Sequence, residues 1–301
     1  HAGGGVRKPL GDHHLMNELS VRSLGVHEGS SRWQLVPFTI GHNGVIRKLV
    51  RSHDPAGTLP MNRLAHDELN DLRSEVLRIA AGLIESIPRA TQILLDQDLE
   101  GAEYQILADD EVDSRTIVLE EKCVSLMALH APVASELRHA VTIMKMAADL
   151  ERSADLVVNI CKVSRRIHGQ DLDPKLRGLI ARMGKQAQSL FTHAFEAYAD
   201  LDLAVAKAVD DMDLFLDYLH KQFIQAIFES HSAGSIDLPV AVQMAVTARF
   251  FERIGDHAVN CAHFVQFLIT GQLPAAGDHR RGGRNPADLT PIGGMPIMRP
   301  S

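Results

Sequence analysis

From residue 61 to residue 271 the apolar positions recur every three or four residues, the period of a helix that buries one face, and no stretch alternates with the period of two that marks a strand. In the first such segment Leu64, Leu72, Val76, Ile79, Leu83 and Ile87 share a face. The pattern predicts six helices: Leu64 to Asp98, Leu99 to His130, Val133 to Ile167, about 174 to Asp200, Leu201 to His231, and Ile236 to Thr270. Pro88 should kink or briefly break the first, and Pro132 should stop the second. The connections are short, so successive helices must run antiparallel. The expected fold is all-α.

The flanks read differently. Residues 1–60 hold no sustained period and are broken by Gly3-Gly4-Gly5, Gly29-Ser30-Ser31 and the Pro55-Ala56-Gly57 turn. They are expected to form a disordered extension or to be non-native upstream sequence, with at most a local strand at Trp33 to Ile40. Residues 272–301, rich in Gly and Pro, are expected to form a flexible tail.

The third and sixth helices carry nearly the same word. Asp149-Leu150-Glu151-Arg152-Ser153-Ala154-Asp155 and the following Val158-Asn159 recur as Phe250-Phe251-Glu252-Arg253-Ile254-Gly255-Asp256 and Val259-Asn260, an offset of 101. The second and fifth helices echo each other through Asp110 and Asp113 against Asp210 and Asp213, an offset of 100. The simplest account is a duplicated unit of about a hundred residues: a tandem repeat of two antiparallel three-helix bundles, 61–170 and 171–271.

The repeated word has a specific chemistry. Leu137, Val141, Met144, Ala148, Glu151, Asp155 and Val158 step by fours and threes, as do Leu238, Val242, Ala245, Arg249, Glu252, Asp256 and Val259. Glu151 with Asp155, and Glu252 with Asp256, therefore extend what reads as an apolar seam. Carboxylates four apart on one stripe repel one another unless a cation or a basic side chain lies between them. Asp110 with Asp113 and Asp210 with Asp213 add carboxylates from a second helix of each unit, the oxygen-rich set a hard metal ion takes. The competing explanation is structural, with Arg152 and Arg253 pairing with the adjacent glutamates.

Composition narrows the function classes. Aromatic residues are only 5% of a chain that is 45% hydrophobic, which favours helix over an aromatic-rich sheet. Of the 31 basic and 38 acidic residues, the first sixty hold seven and four, leaving the remainder with 24 and 34. Such an acidic body argues against sequence-independent nucleic-acid binding and towards a cation or a basic protein surface. The three cysteines, Cys123, Cys161 and Cys261, form no CxxC pair and read as buried apolar groups in a reducing compartment. No stretch is apolar enough to cross a membrane and no signal peptide opens the chain, so a cytoplasmic protein is expected.

These residues carry a resemblance. The words around Glu151 and Glu252 resemble the duplicated D-L-E-R-I-G-D-x-A-x-N-I signature of the PhoU family, and Ala131-Pro132-Val133-Ala134-Ser135-Glu136-Leu137-Arg138 resembles the family's lead into the third helix. The first copy departs in having Ser153-Ala154 for Ile-Gly; the second lacks the lead. The resemblance implies metal clusters held through E/D-x-x-x-D motifs, iron first, with zinc, manganese or magnesium as alternatives. Glu151, Asp155, Glu252 and Asp256 would be the leading ligands and Asp110, Asp113, Asp210 and Asp213 the second set. It also implies an accessory protein, not an enzyme, that restrains phosphate uptake and represses the phosphate-starvation response, acting through the phosphate ABC transporter ATPase and its partner histidine kinase. A homodimer is expected.

Two other classes stay open. A ferritin-like carboxylate-metal enzyme would need Glu-x-x-His pairs, which the third and sixth helices lack; a metal-free helical adaptor would use its acidic stripes to bind a basic partner. No nucleophile elbow, P-loop or dinucleotide-binding glycine loop is present. Arg73 and Arg177 are expected to lie on exposed faces away from the carboxylates.

Overall fold

The computed structural model describes residues 60–272, with side chains from Ala65 onward. Of the expected extension at 1–60 only Pro60 is described, as the first residue of a helix; the rest, with its strand at Trp33 to Ile40, and most of the 272–301 tail lie outside the described residues.

Seven helices make up the described chain, with no strand among the described residues: α1 (Pro60–Asp96), α2 (Leu99–Leu107), α3 (Asp109–His130), α4 (Ser135–Arg166), α5 (Pro174–Asp200), α6 (Leu203–Ser232) and α7 (Leu238–Thr270). The first bundle packs α1 against α3 and α4, with α2 laid on α4; the second packs α5, α6 and α7 against one another. The two bundles join through like helices, α1 against α5 and α4 against α7. Both pairs run antiparallel. Along α4 and α7, Lys145 meets Phe264, Asp149 meets His257 and Arg166 meets Gln243, one number rising as the other falls.

Two sequence expectations about helix boundaries need correcting. Pro88 does not break α1, which runs through it unbroken. Ile84, Ile87 and Ala90 are buried on either side, so packing keeps the helix continuous across the missing hydrogen bond, and the Ser86 hydroxyl donates to the nearby Leu83 carbonyl at 2.8 Å. The second expected helix is instead two, parted at Ala108. The break puts Asp109, Asp110 and Glu111 in the first turn of α3, where free backbone N–H groups and the helix dipole favour carboxylates.

The other ends follow their caps. Asp98, Asp202 and Asp237 each accept backbone N–H bonds at the starts of α2, α6 and α7. Asp173 caps α5 ahead of Pro174 and also accepts from Ser230 Oγ at 2.8 Å, which ties the start of α5 to the end of α6. Gly271 closes α7 in the left-handed conformation, at φ 76°.

The core differs between the bundles. Its largest fully buried aromatic side chains, Phe191, Phe195, Tyr198, Phe223 and Phe251, all belong to the second, while Ile87, Leu94, Leu119, Leu126, Ile143, Met146 and Leu150 fill the first. All three cysteines are buried and unpaired, as their spacing suggested. Burial pushes the thiols of Cys123 and Cys161 up to about 12.

Two polar arrangements lock the bundles together. The Arg73 guanidinium of α1 donates to the Tyr198 and Ala199 carbonyls at the end of α5, at 3.2 and 2.5 Å, and stands over the Tyr198 ring. Arg177 of α5 donates to the Leu95 carbonyl at the end of α1 at 2.5 Å. These arginines thus serve as caps rather than lying on free faces as the sequence suggested. Orphan carbonyls at a helix end demand donors, and here each bundle supplies the other's. Nearby, the Tyr198 hydroxyl meets His139 Nε2 at 3.0 Å. Burial, with help from Arg73, lowers the His139 pKa to about 4, so the ring is neutral near pH 7.

The second arrangement lies between α4 and α7. Asp149 Oδ1 is 2.7 Å from His257 Nδ1 and 3.4 Å from Asn260 Nδ2, and both Asp149 and His257 are buried. The positions related by the repeat are Phe250 and Leu156, so one half of this interface is polar and the other apolar.

Candidate metal centres

The carboxylate stripes do not continue the core as the spacing suggested. On α4 the buried line is Ala140, Ile143, Ala147, Leu150, Ala154, Val157 and Cys161; Leu137 and Asp155 are exposed, and Val141, Met144, Ala148 and Glu151 are half-buried. On α7 Leu238, Val242, Arg249 and Asp256 are exposed, with Ala245, Glu252 and Val259 half-buried. A helix packed on several neighbours buries a wide face, and the stripe becomes its shoulder. That shoulder turns towards α3 in the first bundle and α6 in the second.

In the second bundle α6 presents Asp210, Asp213 and Asp217, spaced by three and four, to Glu252 and Asp256 of α7. Asp213 is the most perturbed. Burial, followed by the charges of Asp217, Asp256 and Asp210, raises its pKa to about 7. It reaches this depth because α7 has glycine opposite: a Cβ at Gly255 would fall 2.7 Å from Asp213 Oδ1 and 2.5 Å from Leu216 Cδ2. Burial also raises Asp256, opposed by Arg249 and reinforced by Asp217. Glu252 pairs with Arg249, one turn earlier on α7, and not with the adjacent Arg253. His263 Nε2 lies 2.8 Å from Asp210 Oδ1.

The first bundle builds a related but altered cluster. Burial, with the charges of Asp113 and Asp155, raises Asp109 to about 6, against the opposing pull of Lys162. Glu151 is raised by burial and then by Asp155 and Asp113. Asp110 is exposed, and Asp109 takes the inward position. Lys162 and His263 stand 101 residues apart, as do the Asp109 and Asp210 they face, so the repeat runs in register here at 101 rather than the 100 read from Asp110 and Asp113.

Reading the sequence missed Asp109, Asp217, Lys162 and His263. Asp217 was accessible as the next step after Asp210 and Asp213. Lys162 and His263 each fall eleven residues, three helical turns, beyond Glu151 and Glu252, so the same stripe leads to them. Asp109 required the break at Ala108.

The donor chemistry of both clusters suits a hard or borderline cation. As the side chains stand, no three His, Cys, Asp or Glu groups among the described residues converge on one point closely enough to hold an ion. The fit is therefore one of chemistry and repulsion awaiting relief, stronger where Asp213 is pressed between neighbours and weaker where Lys162 already supplies a positive charge.

Comparison with known proteins accounts for this architecture. The PhoU domain family matches twice, over residues 76–164 and 180–265. The phosphate-specific transport system accessory protein PhoU homolog 2 of Mycobacterium tuberculosis is 34% identical over 216 residues, 71% of this chain and 100% of that protein. PhoU homolog 1 of Mycobacterium leprae is 33% identical over 216 residues, 71% of this chain and 96% of its own. The crystal structure of PhoU from Pseudomonas aeruginosa superposes with a TM-score of 0.65 at 27% identity, covering 69% of this chain and 99% of that one. With two matches to the domain, one in each bundle, and relatives aligned along nearly their whole length, this chain belongs to the PhoU family.

Proposed function

We propose that this chain is a regulator of phosphate uptake that restrains transport and represses the phosphate-starvation response when phosphate is plentiful. It does so by binding the phosphate ABC transporter ATPase and its partner histidine kinase. Membership of the PhoU family through both bundles carries the reading, since the named relatives are accessory proteins of phosphate-specific transport. A non-catalytic bundle acts on a transporter and a kinase only through differential affinity for their states. Among the described residues no helix is long and apolar enough to cross a membrane, so contact with the transporter runs through its protein surfaces. The proposal includes a cytoplasmic homodimer.

The reading also places a metal ion, iron first, among the carboxylates. Asp210, Asp213, Glu252 and Asp256, joined by Asp217, would hold it in the second bundle; Asp113, Glu151 and Asp155, with Asp109, would do so in the first. A bound cation supplies the positive charge that offsets their mutual repulsion and fixes α6 against α7. The second bundle is the stronger site, because Gly255 admits Asp213 and so crowds it against Asp217, Asp256 and Asp210.

A metal-free adaptor remains the second reading. Arg249 on Glu252, His263 against Asp210 and Lys162 near Asp109 are cationic or neutral partners drawn from the chain itself. The test is a phosphate-responsive reporter in a deletion strain, with elemental analysis of the purified protein. Derepression in high phosphate, reversed by the wild-type gene, supports the regulator; normal repression, with no related copy in the cell, removes it. Protein purified without chelators and free of metal would leave the adaptor.

A further inference from the structure

Between the first half of α5 and the second half of α6 runs an open cleft of about 570 Å³, lined in part by Lys175, Gly178, Arg182, Lys221, Gln222 and Gln225. Its charged walls are all basic, although the helical body of the protein is acidic. Lys175 has its own partner in Glu229, at 2.6 Å. Arg182 and Lys221 have no carboxylate within 4.0 Å among the described residues. The Arg182 guanidinium is held over the Phe215 ring, 5.8 Å from its centroid, a placement that orders the side chain while no described residue accepts from its donors.

The floor of the cleft adds an independent observation. Gly178 lies inside α5, where glycine lowers helix stability relative to alanine, yet a Cβ there would meet nothing within 4 Å. A bare helix surface in a cleft shared with two cations that no described carboxylate pairs is what a closely approaching acidic chain requires.

We propose that this cleft is a docking groove for a carboxylate-bearing segment of a protein partner, which sets backbone or small side chains on Gly178 and its acidic groups against Arg182 and Lys221. The chain's own termini are unsuited as occupants, since residues 1–60 carry seven basic and four acidic groups and residues 273–301 four and two. An acidic face supplied by another protein is complementary. The identity of that protein rests on the proposed function: the transporter ATPase or the kinase.

The test measures binding of purified full-length protein to the transporter ATPase and to the cytoplasmic part of the kinase. Arg182→Glu with Lys221→Glu should weaken one of them at least about tenfold and flatten the salt dependence of the affinity. Gly178→Leu should weaken the same partner while raising the melting temperature by about 2 °C, opposite directions that a structural role for the glycine would not produce. If wild type binds and these variants bind equally well, the groove is overturned and the regulator reading stands. Binding of neither protein by wild type overturns both. Self-association of wild type that the double variant abolishes would assign the groove to a second copy of this chain and overturn the proposal.

Discussion

Arg73 and Arg177, 104 residues apart, perform one task in opposite directions: each closes the C-terminal end of the other bundle's first helix. The exchange explains why two arginines that look like surface residues in the sequence are structural. A guanidinium can cap two carbonyls at once, and its long stem spans the gap between antiparallel helices.

Replacing Arg73 with Ala should therefore destabilise the protein by about 1–3 kcal/mol, the range for charged hydrogen bonds lost at partly buried carbonyls. Arg177→Ala should cost less, because its side chain is 42% exposed. Denaturant melts against Arg253→Ala, an exposed arginine of α7, check both; equal midpoints for all three would remove the capping role.

The Asp149 and His257 pair makes a second, sharper expectation. Asp149→Leu alone leaves a buried imidazole without its acceptor and should cost about 2–4 kcal/mol. Adding His257→Leu should restore most of that loss, since apolar groups replace both partners. A double-mutant cycle measures the coupling, and additivity of the two changes would contradict the contact.

Stability should also depend on pH through Asp213. In the metal-free protein its pKa is raised to about 7 from a model-peptide value of 3.8, so the folded state keeps a proton that the unfolded chain releases. The sign follows: this group's contribution to stability declines as pH rises from about 4 through about 7. Asp213→Asn should flatten the profile over that window and stabilise the protein at pH 8 by on the order of 1–3 kcal/mol. Thermal melts with a chelator present, at pH 5 and pH 8, decide it.

Metal content should divide unequally between the bundles. Two equivalent sets would each lose half of the bound metal when disabled. Because Lys162 occupies the first cluster's environment, Glu151→Gln with Asp155→Asn should remove less than half, and Asp213→Asn with Asp256→Asn more than half. Elemental analysis of the four samples, wild type and Lys162→Ala included, orders them; equal losses would restore the symmetrical view.

The helices, the duplication and the leading carboxylates were legible in the chain because each depends on local spacing. Glu151, Asp155, Glu252 and Asp256 announce themselves by a period of four. What stayed hidden depends on neighbours far away in sequence. The caps of Arg73 and Arg177 need the antiparallel α1 and α5 to be in place, and the inward turn of Asp109 needs the break at Ala108. The seam through Leu137 and Val141 was misplaced because an amphipathic pattern gives the direction of a buried face but not its width, and four neighbouring helices widen it on α4. The break allowed for at Pro88 does not occur, because packing on both sides outweighs one absent hydrogen bond.

The uneven interface between α4 and α7 works as a pairing code. Two first bundles brought together by the same antiparallel arrangement would set Asp149 against Leu156, burying a carboxylate with no partner; two second bundles would set His257 against Phe250, leaving the imidazole unanswered. Only unlike bundles satisfy both positions. A duplicated protein faces the hazard that equivalent halves of neighbouring molecules exchange places and knit chains into aggregates. A single aspartate on one copy and a single histidine on the other make the correct neighbour the one already tethered, and so tie the fidelity of assembly during folding to two side chains remote from any ligand.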